Sequence, residues 1–295
     1  MKRKKDCIPL VVRMKQYLRN PLSLVLWLLV RLAALLTAGV FICLVGYILM
    51  KGVPHLSLSM FALEYNTDNL SLLPALVNTV VMALLSLLVA APLGIFAAIY
   101  LVEYAKRGNR IVGIIRAAAE TLSGVPSIVY GLFGMLFFVV SLGWGISLLA
   151  GAFTLAIMIL PLILRTTEEA LKAVPDIYRE GSFGLGAGKL RTIFRIVLPA
   201  AVPGVLSGVI LAVGRVVSET AALIYTAGTV AQVPATPMGS GRTLALHMYA
   251  LSNEGLHTDK AYATAVVLLV LVLGINTLSG FAARRISRGT VAADG

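Results

Sequence analysis

The sequence predicts an all-α polytopic membrane protein with six spanning helices and both termini in the cytoplasm. Three observations predict it. Of the 295 residues, 59% are hydrophobic and only 13% charged, about half the roughly 25% charge of soluble domains. Six apolar runs are long enough to cross a hydrocarbon core about 30 Å thick. Twenty of the 25 Lys and Arg are gathered on one side of those runs. A soluble globule of this size could not cover itself with so few charges, which argues against a soluble enzyme. It also argues against a nucleic-acid binder, despite the net charge of +12. Two cysteines (Cys7 and Cys43) make no disulfide framework, and three scattered histidines (His55, His247, His257) make no metal motif.

In chain order the runs are 32–50, 75–102, 121–144, 146–164, 200–226 and 263–283. The second contains Pro92, where a kink is expected, and the fifth contains Arg215 and Glu219. Leu142-Gly143-Trp144-Gly145 is a tight uncharged turn that makes the third and fourth runs a helical hairpin. Runs of this length read as helices, because each then satisfies its own backbone polar groups; a barrel would show alternating segments of about 10 residues. Twenty basic residues fall in the segment before the first run, the two long even-numbered loops and the C-terminal tail, against three (Lys51, Arg242, Lys260) on the other side. Positive charge stays cytoplasmic, which gives the even span count its orientation. The basic N-terminus followed by a long apolar run and five more does not fit a cleaved signal peptide. The organisation expected is a basic segment 1–23, a membrane domain 24–288 and a tail 289–295.

The loop 165–199 is patterned. Pro175 suits a first helical turn, and Asp176 places negative charge at that helix's positive end. Gly184, Gly186 and Gly188 have the composition of a bend between two short helices. A second helix, 189–198, is expected from the apolar spacing of Leu190, Ile193, Phe194 and Val197, closed by Pro199. The glycines do not make a phosphate-binding loop: aligned on Gly188-Lys189, that pattern needs Gly at Phe183 and Ser or Thr at Leu190. A dinucleotide pattern begun at Gly184 fails at Lys189. No nucleotide site, catalytic residue, metal or cofactor is expected of the chain itself.

Arg215 and Glu219, four residues apart, would share one face of a helix. A charge near the bilayer centre costs at least about 2.5–3.5 kcal/mol, and such residues are usually paired and mark a pathway. One reading is an ion pair that only joins helices. The other is a guanidinium fork offered to an oxyanion such as phosphate, with Glu219 holding the fork or accepting a hydrogen bond from a protonated phosphate and Ser218 and Thr220 adding hydroxyls.

Glu180-Gly181-Ser182, Gly186 and Ile196-Val197-Leu198-Pro199 resemble the EAA loop of ABC importer permeases, with Gly181 and Ser182 replacing its two alanines. The resemblance implies the type I importer permease architecture and a coupling helix that docks into a cytoplasmic ATPase. The contact residues it implies here are Tyr178, Arg179, Glu180, Gly181, Leu185 and Gly186. Ser123-Gly124-Val125-Pro126-Ser127-Ile128-Val129-Tyr130-Gly131 and Gly214-Arg215-Val216-Val217-Ser218-Glu219-Thr220-Ala221-Ala222-Leu223 resemble segments of phosphate importer permeases, most closely the A-type (PstA-type) subunits. That implies a multi-pass inner-membrane protein surrounded by lipid, with three kinds of protein partner. These are a C-type permease, two ATPase subunits and an external phosphate-binding protein received by the loops 51–74 and 227–262. Within the same family the cargo could be another oxyanion or small solute. A secondary transporter would need several intramembrane carboxylates, and only Glu219 is clearly present.

Overall fold

A computed structural model describes residues 21–106 and 108–292. The basic residues expected in the first 20 positions, Arg107 and the last three residues of the tail lie outside the described residues. The described residues up to Lys51 and those from Gly52 onward form two compact units.

In the first unit, helix α1 (Pro21–Gly52) extends the expected first span by about three turns toward the N-terminus. It is apolar on every side and no side chain from Leu22 to Lys51 is buried, the pattern of a helix whose solvent is lipid. Arg31 lies 4.6 Å over the Trp27 ring, one turn earlier, so its charge is held against an aromatic face.

The second unit is all helix and loop among the described residues. It contains α2 (Leu73–Ile99), α3 (Arg110–Ser123), α4 (Ser127–Gly134), α5 (Leu148–Lys172), α6 (Asp176–Gly184), α7 (Lys189–Thr192), α8 (Leu198–Val217), α9 (Ala221–Ile224), α10 (Leu244–Glu254) and α11 (Thr258–Ala292). Wide π turns at Tyr100–Tyr104, Met135–Ser141 and Ile193–Val197 continue α2 and α4 and join α7 to α8. Five helices are long and apolar enough to cross a membrane, and α3 with α4 gives a sixth if the bent pair is one span.

Besides the longer first span, the fourth runs on to Lys172 rather than 164, and the third, fifth and sixth also differ from the sequence reading. The third begins at Arg110 rather than 121 and breaks between Ser123 and Ser127 with a bend of 102°. Pro126 has no N–H and disfavours helical geometry at Val125. The Tyr130 hydroxyl then donates to the Leu122 carbonyl across the break (2.8 Å). In the fifth span, residues 189–198 are not a separate helix: Lys189–Val217 is one continuous apolar helix. The π turn just before Pro199 widens the ladder where the proline ring would otherwise meet the preceding turn. The same span stops at Val217, well short of 226. At its end Ser218 turns its hydroxyl back to the carbonyls of Gly214 (2.9 Å) and Arg215 (3.3 Å), the local competition by which serine ends helices. At the C-terminus α11 runs on to Ala292, past the expected boundary at 288.

The core lies between α2, α5 and α8, centred on Met82, Leu155, Ile159, Ile163 and Val216. Close approach of helices is set by small residues: a Cβ on Gly94 would stand 2.9 Å from Ile163 Cγ2, and one on Gly131 2.8 Å from Ala222 Cα. At the end of the bundle bearing the 173–188 loop, a second cluster joins Leu171, Val174, Ile193 and Val197 to Ala98 and Ile99. Burying Leu171 and Ile193 there contributes about 2 kcal/mol each. The loop is thereby seated on the ends of α2, α5 and α8. At the opposite end the segment after α9 pins the start of α5, through Ser147 N–H to Thr226 O (2.9 Å) and Leu148 N–H to Gly239 O (2.9 Å). The expected hairpin turn is present, with Gly143 and Gly145 at φ +67° and +65°. Trp144 within it stacks on Phe138 (5.2 Å) and meets Phe153 edge-on (5.3 Å).

Candidate functional site

Two features carry the chemistry, one at the 173–188 loop and one at the break after α8. In the loop, Pro175 precedes α6 and Asp176 opens it, as the sequence predicts. Gly186 turns the chain at φ +80°, a conformation only glycine adopts without strain. The two arms of the resulting knuckle are tied by a buried hydroxyl pair, Ser182 Oγ to Thr192 Oγ1 at 2.8 Å. Its outer surface is apolar and open: Leu185 is 91% and Ile177 72% exposed, with Tyr178, Glu180, Gly181 and Gly186 also exposed. Water-exposed leucine and isoleucine on a compact, tethered helix tip are the signature of a surface built to be covered.

Arg179 departs from that group. Its guanidinium is turned inward, donating to Glu103 Oε1 (2.8 Å), Asp176 Oδ1 (3.1 Å) and the carbonyls of Val174 (2.8 Å) and Leu171 (2.9 Å). The expected outward contact is thus corrected: Arg179 ties α6 to the ends of α2 and α5. It does so because Glu103 and the carbonyls at and just past the end of α5 can all accept from one guanidinium. Glu168 on α5 forms a second tie, to Arg116 of α3 (2.6 Å) and Lys172 (2.7 Å). A cavity of about 670 Å³ lies between the two ties, lined by Glu103, Lys106, Arg116, Lys172 and Arg179 among others. The sequence reading did not identify Glu103, Arg116 or Glu168 as partners of the loop. A lone acid closing an apolar run was the available signal.

At the break, the shared helical face expected of Arg215 and Glu219 does not form, because the helix ends between them. No ion pair joins the two among the described residues. Arg215 occupies the last turn of α8, where the helix dipole favours a cation. Glu219 is buried and accepts the Ala222 N–H (3.2 Å), capping α9. The Ser218 hydroxyl is committed to its own helix, and Thr220 is half-buried beside Glu219. Gly131 of α4 abuts Ala222 of α9, so the broken third span and the broken fifth span meet. Interrupted helices leave backbone N–H and C=O groups free within the bundle. Such irregular backbone is tolerated there only in protein or beside a water-filled path.

A bundle of spanning helices, two of them broken side by side, with a tethered knuckle of exposed apolar tip at one end, is the architecture of a membrane permease. The chain belongs to the family of binding-protein-dependent transport system inner membrane components, whose model matches residues 90–291. It is 32% identical to the probable ABC transporter permease protein YqgI of Bacillus subtilis over 83% of this chain and 89% of that one. It is 38% identical to the phosphate transport system permease protein PstA of Mycobacterium leprae, over 68% of this chain and 67% of that one. Among solved structures, a chain of a bacterial alginate ABC transporter superposes with a TM-score of 0.66 at 18% identity, covering 92% of this chain and 97% of that chain. A chain of the MetNI methionine ABC transporter gives 0.55 at 19% identity, covering 81% and 96%. These last two are likenesses of fold. The expected importer permease architecture is therefore the one the chain adopts, and its place is the membrane.

Proposed function

We propose that this chain is the A-type permease subunit of an ATP-driven importer of inorganic phosphate. In this reading it lines one half of the pathway, and a C-type permease lines the other. The 173–188 knuckle docks two cytoplasmic ATPase subunits together with its counterpart, and an external binding protein delivers the anion. The observation that carries the coupling role is the two-faced α6. Tyr178, Glu180, Gly181, Leu185 and Gly186 present the docking surface, while Arg179 transmits its displacement to α2 and α5 through Glu103 and the α5 carbonyls. A rigid element tied on one side and open on the other can pass a partner's motion into a bundle. That role fixes the orientation, with the knuckle and both termini cytoplasmic, in agreement with the distribution of basic residues.

The cargo reading is supported by the similarity to proteins named as phosphate transport permeases and by the chemistry at the α8 break. Arg215 supplies a guanidinium at the meeting of the two broken spans, Glu219 an acceptor for a proton on the ligand, and Ser218 and Thr220 polar edges. Sulfate, fully deprotonated, has no proton to give Glu219. The test is uptake of radiolabelled phosphate and sulfate by the complete importer in proteoliposomes. Wild-type vesicles should accumulate phosphate on ATP hydrolysis and leave sulfate behind, and Arg215→Gln should lower phosphate uptake at least tenfold with assembly intact. Normal uptake by that variant would remove Arg215 from the pathway, and sulfate accumulation would replace the cargo.

A further inference from the structure

Six buried side-chain polar atoms with no hydrogen-bond partner among the described residues belong to Asn78, Arg242, Thr243 and His247. These four residues are neighbours. The Asn78 amide donates to the Gln232 (2.8 Å) and Arg242 (3.2 Å) carbonyls, and the Arg242 guanidinium lies 4.8 Å over the Tyr65 ring. Tyr65 in turn meets His247 edge-on, 6.1 Å away. Arg242 is 5% exposed and His247 fully buried. Buried donors and acceptors in folded proteins are almost always paired, and a buried charge without a counter-charge is rarer still. Here no carboxylate forms an ion pair with Arg242 among the described residues. Glu64 and Asp68, the acids nearest Tyr65 in the chain, are exposed.

The unpaired atoms are a matched set. Nε and Nη2 of Arg242 are the two N–H groups on one edge of the guanidinium, the fork that grips two oxygens of a carboxylate or phosphate. The backbone holds that fork inward, since Arg242 N–H is bonded to Val230 O (2.9 Å) while its carbonyl accepts from Asn78. The Tyr65 face closes one side of the guanidinium, leaving its edge to the ligand. Burial and the charge of Arg242 hold the His247 pKa down at about 3, so its ring is neutral and offers one donor and one acceptor. The Leu70 carbonyl approaches the ring without closing a well-formed hydrogen bond. The Thr243 hydroxyl completes the set. The site lies at the opposite end of the bundle from the coupling knuckle, on the segment that leads out of the Arg215–Glu219 break.

We propose that Arg242, with Thr243 and His247, forms an oxyanion site that takes phosphate on the side where the binding protein delivers it, one station ahead of Arg215. The inference rests on the phosphate-importer reading and adds a binding step to it. Covered by the segment 228–240, the fork would receive the anion dry, where a bidentate contact discriminates most strongly against neutral solutes and water.

The test is equilibrium binding of radiolabelled inorganic phosphate to the permease pair in lipid nanodiscs. Arg242→Gln should weaken the affinity at least tenfold relative to wild type, and Arg242→Lys should fall between the two. A second measurement needs no substitution: in wild-type protein carrying labelled histidine, phosphate should shift the His247 ring resonances saturably. Unchanged affinity in Arg242→Gln, or a His247 ring blind to phosphate, overturns the proposal. So does a ring that responds only to the docked binding protein, since the anion would then be a protein carboxylate. Uptake by the wild-type importer is read in parallel. Its absence would sink the phosphate reading, whereas normal uptake with unchanged affinity in Arg242→Gln would sink this site alone.

Discussion

Arg179 is half-buried and Arg242 buried, and the two guanidinium groups of one chain are treated in opposite ways. At the knuckle end Arg179 has two carboxylates and two carbonyls within 3.1 Å. At the other end Arg242 has its backbone pinned and its Nε and Nη2 unpaired. The difference separates a fixed joint from a receiving site. A joint must return the cost of taking charge out of water through contacts that are always present. A receiving site leaves that cost outstanding until its ligand arrives.

The largest effect expected from this contrast is at the joint. Arg179→Met should destabilise the permease by about 3 kcal/mol, because it removes a charge-assisted hydrogen bond from the half-buried Glu103 and donors from the end of α5. Thermal unfolding in detergent reads the loss, and ATP-driven uptake should fall with it while the separate ATPase keeps its basal turnover. A variant with wild-type stability would show that Arg179 is a surface contact after all and erase the distinction.

A smaller effect is expected from pH at the receiving end. His247 has its pKa lowered from 6.5 to about 3 in the folded chain. Its contribution to stability is therefore complete above about pH 6.5 and is lost progressively as the pH falls toward 3, since the unfolded chain takes up the proton first. Between pH 7 and pH 5 the loss should be about 2 kcal/mol. His247→Gln should remove that part of the acid slope and leave the remainder. Parallel melting curves at pH 7 and 5 for the two proteins measure it, and identical slopes would mean that His247 is neither dry nor close to an unpaired cation.

Much of this was legible in the chain and some was not. The spans, the hairpin turn at Gly143-Trp144-Gly145, the bend at Gly186 and the start of α6 after Pro175 follow from local chemistry, and hydropathy and glycine report them directly. The break after Val217 was missed because neither proline nor glycine marks it. It depends on one serine hydroxyl turning back and one glutamate capping forward, choices that tertiary packing makes. The inward turn of Arg179 was hidden for a similar reason, as its partner Glu103 is 76 residues away. Arg242 counted only as one of three basic residues on the less charged side. Its meaning appears once α2 brings Asn78 beside it and the 56–72 segment lays Tyr65 against it.

The smallest expected effect is also the most discriminating. Arg242→Met in phosphate-free buffer removes a cation–π contact with Tyr65, worth about 0.5–2 kcal/mol. It also removes an unpaired buried charge whose desolvation costs several kcal/mol. The balance favours the variant, so its melting temperature should equal or slightly exceed that of the wild type, by the equivalent of about 1 kcal/mol. The same substitution at Arg179 goes steeply the other way. Adding phosphate should then raise the wild-type midpoint with the logarithm of concentration, as any ligand of the folded state does, and leave Arg242→Met where it was. Were Arg242→Met to unfold as readily as Arg179→Met, with or without phosphate, Arg242 would be a second joint. Its counter-charge would then lie in the partner permease rather than in the cargo.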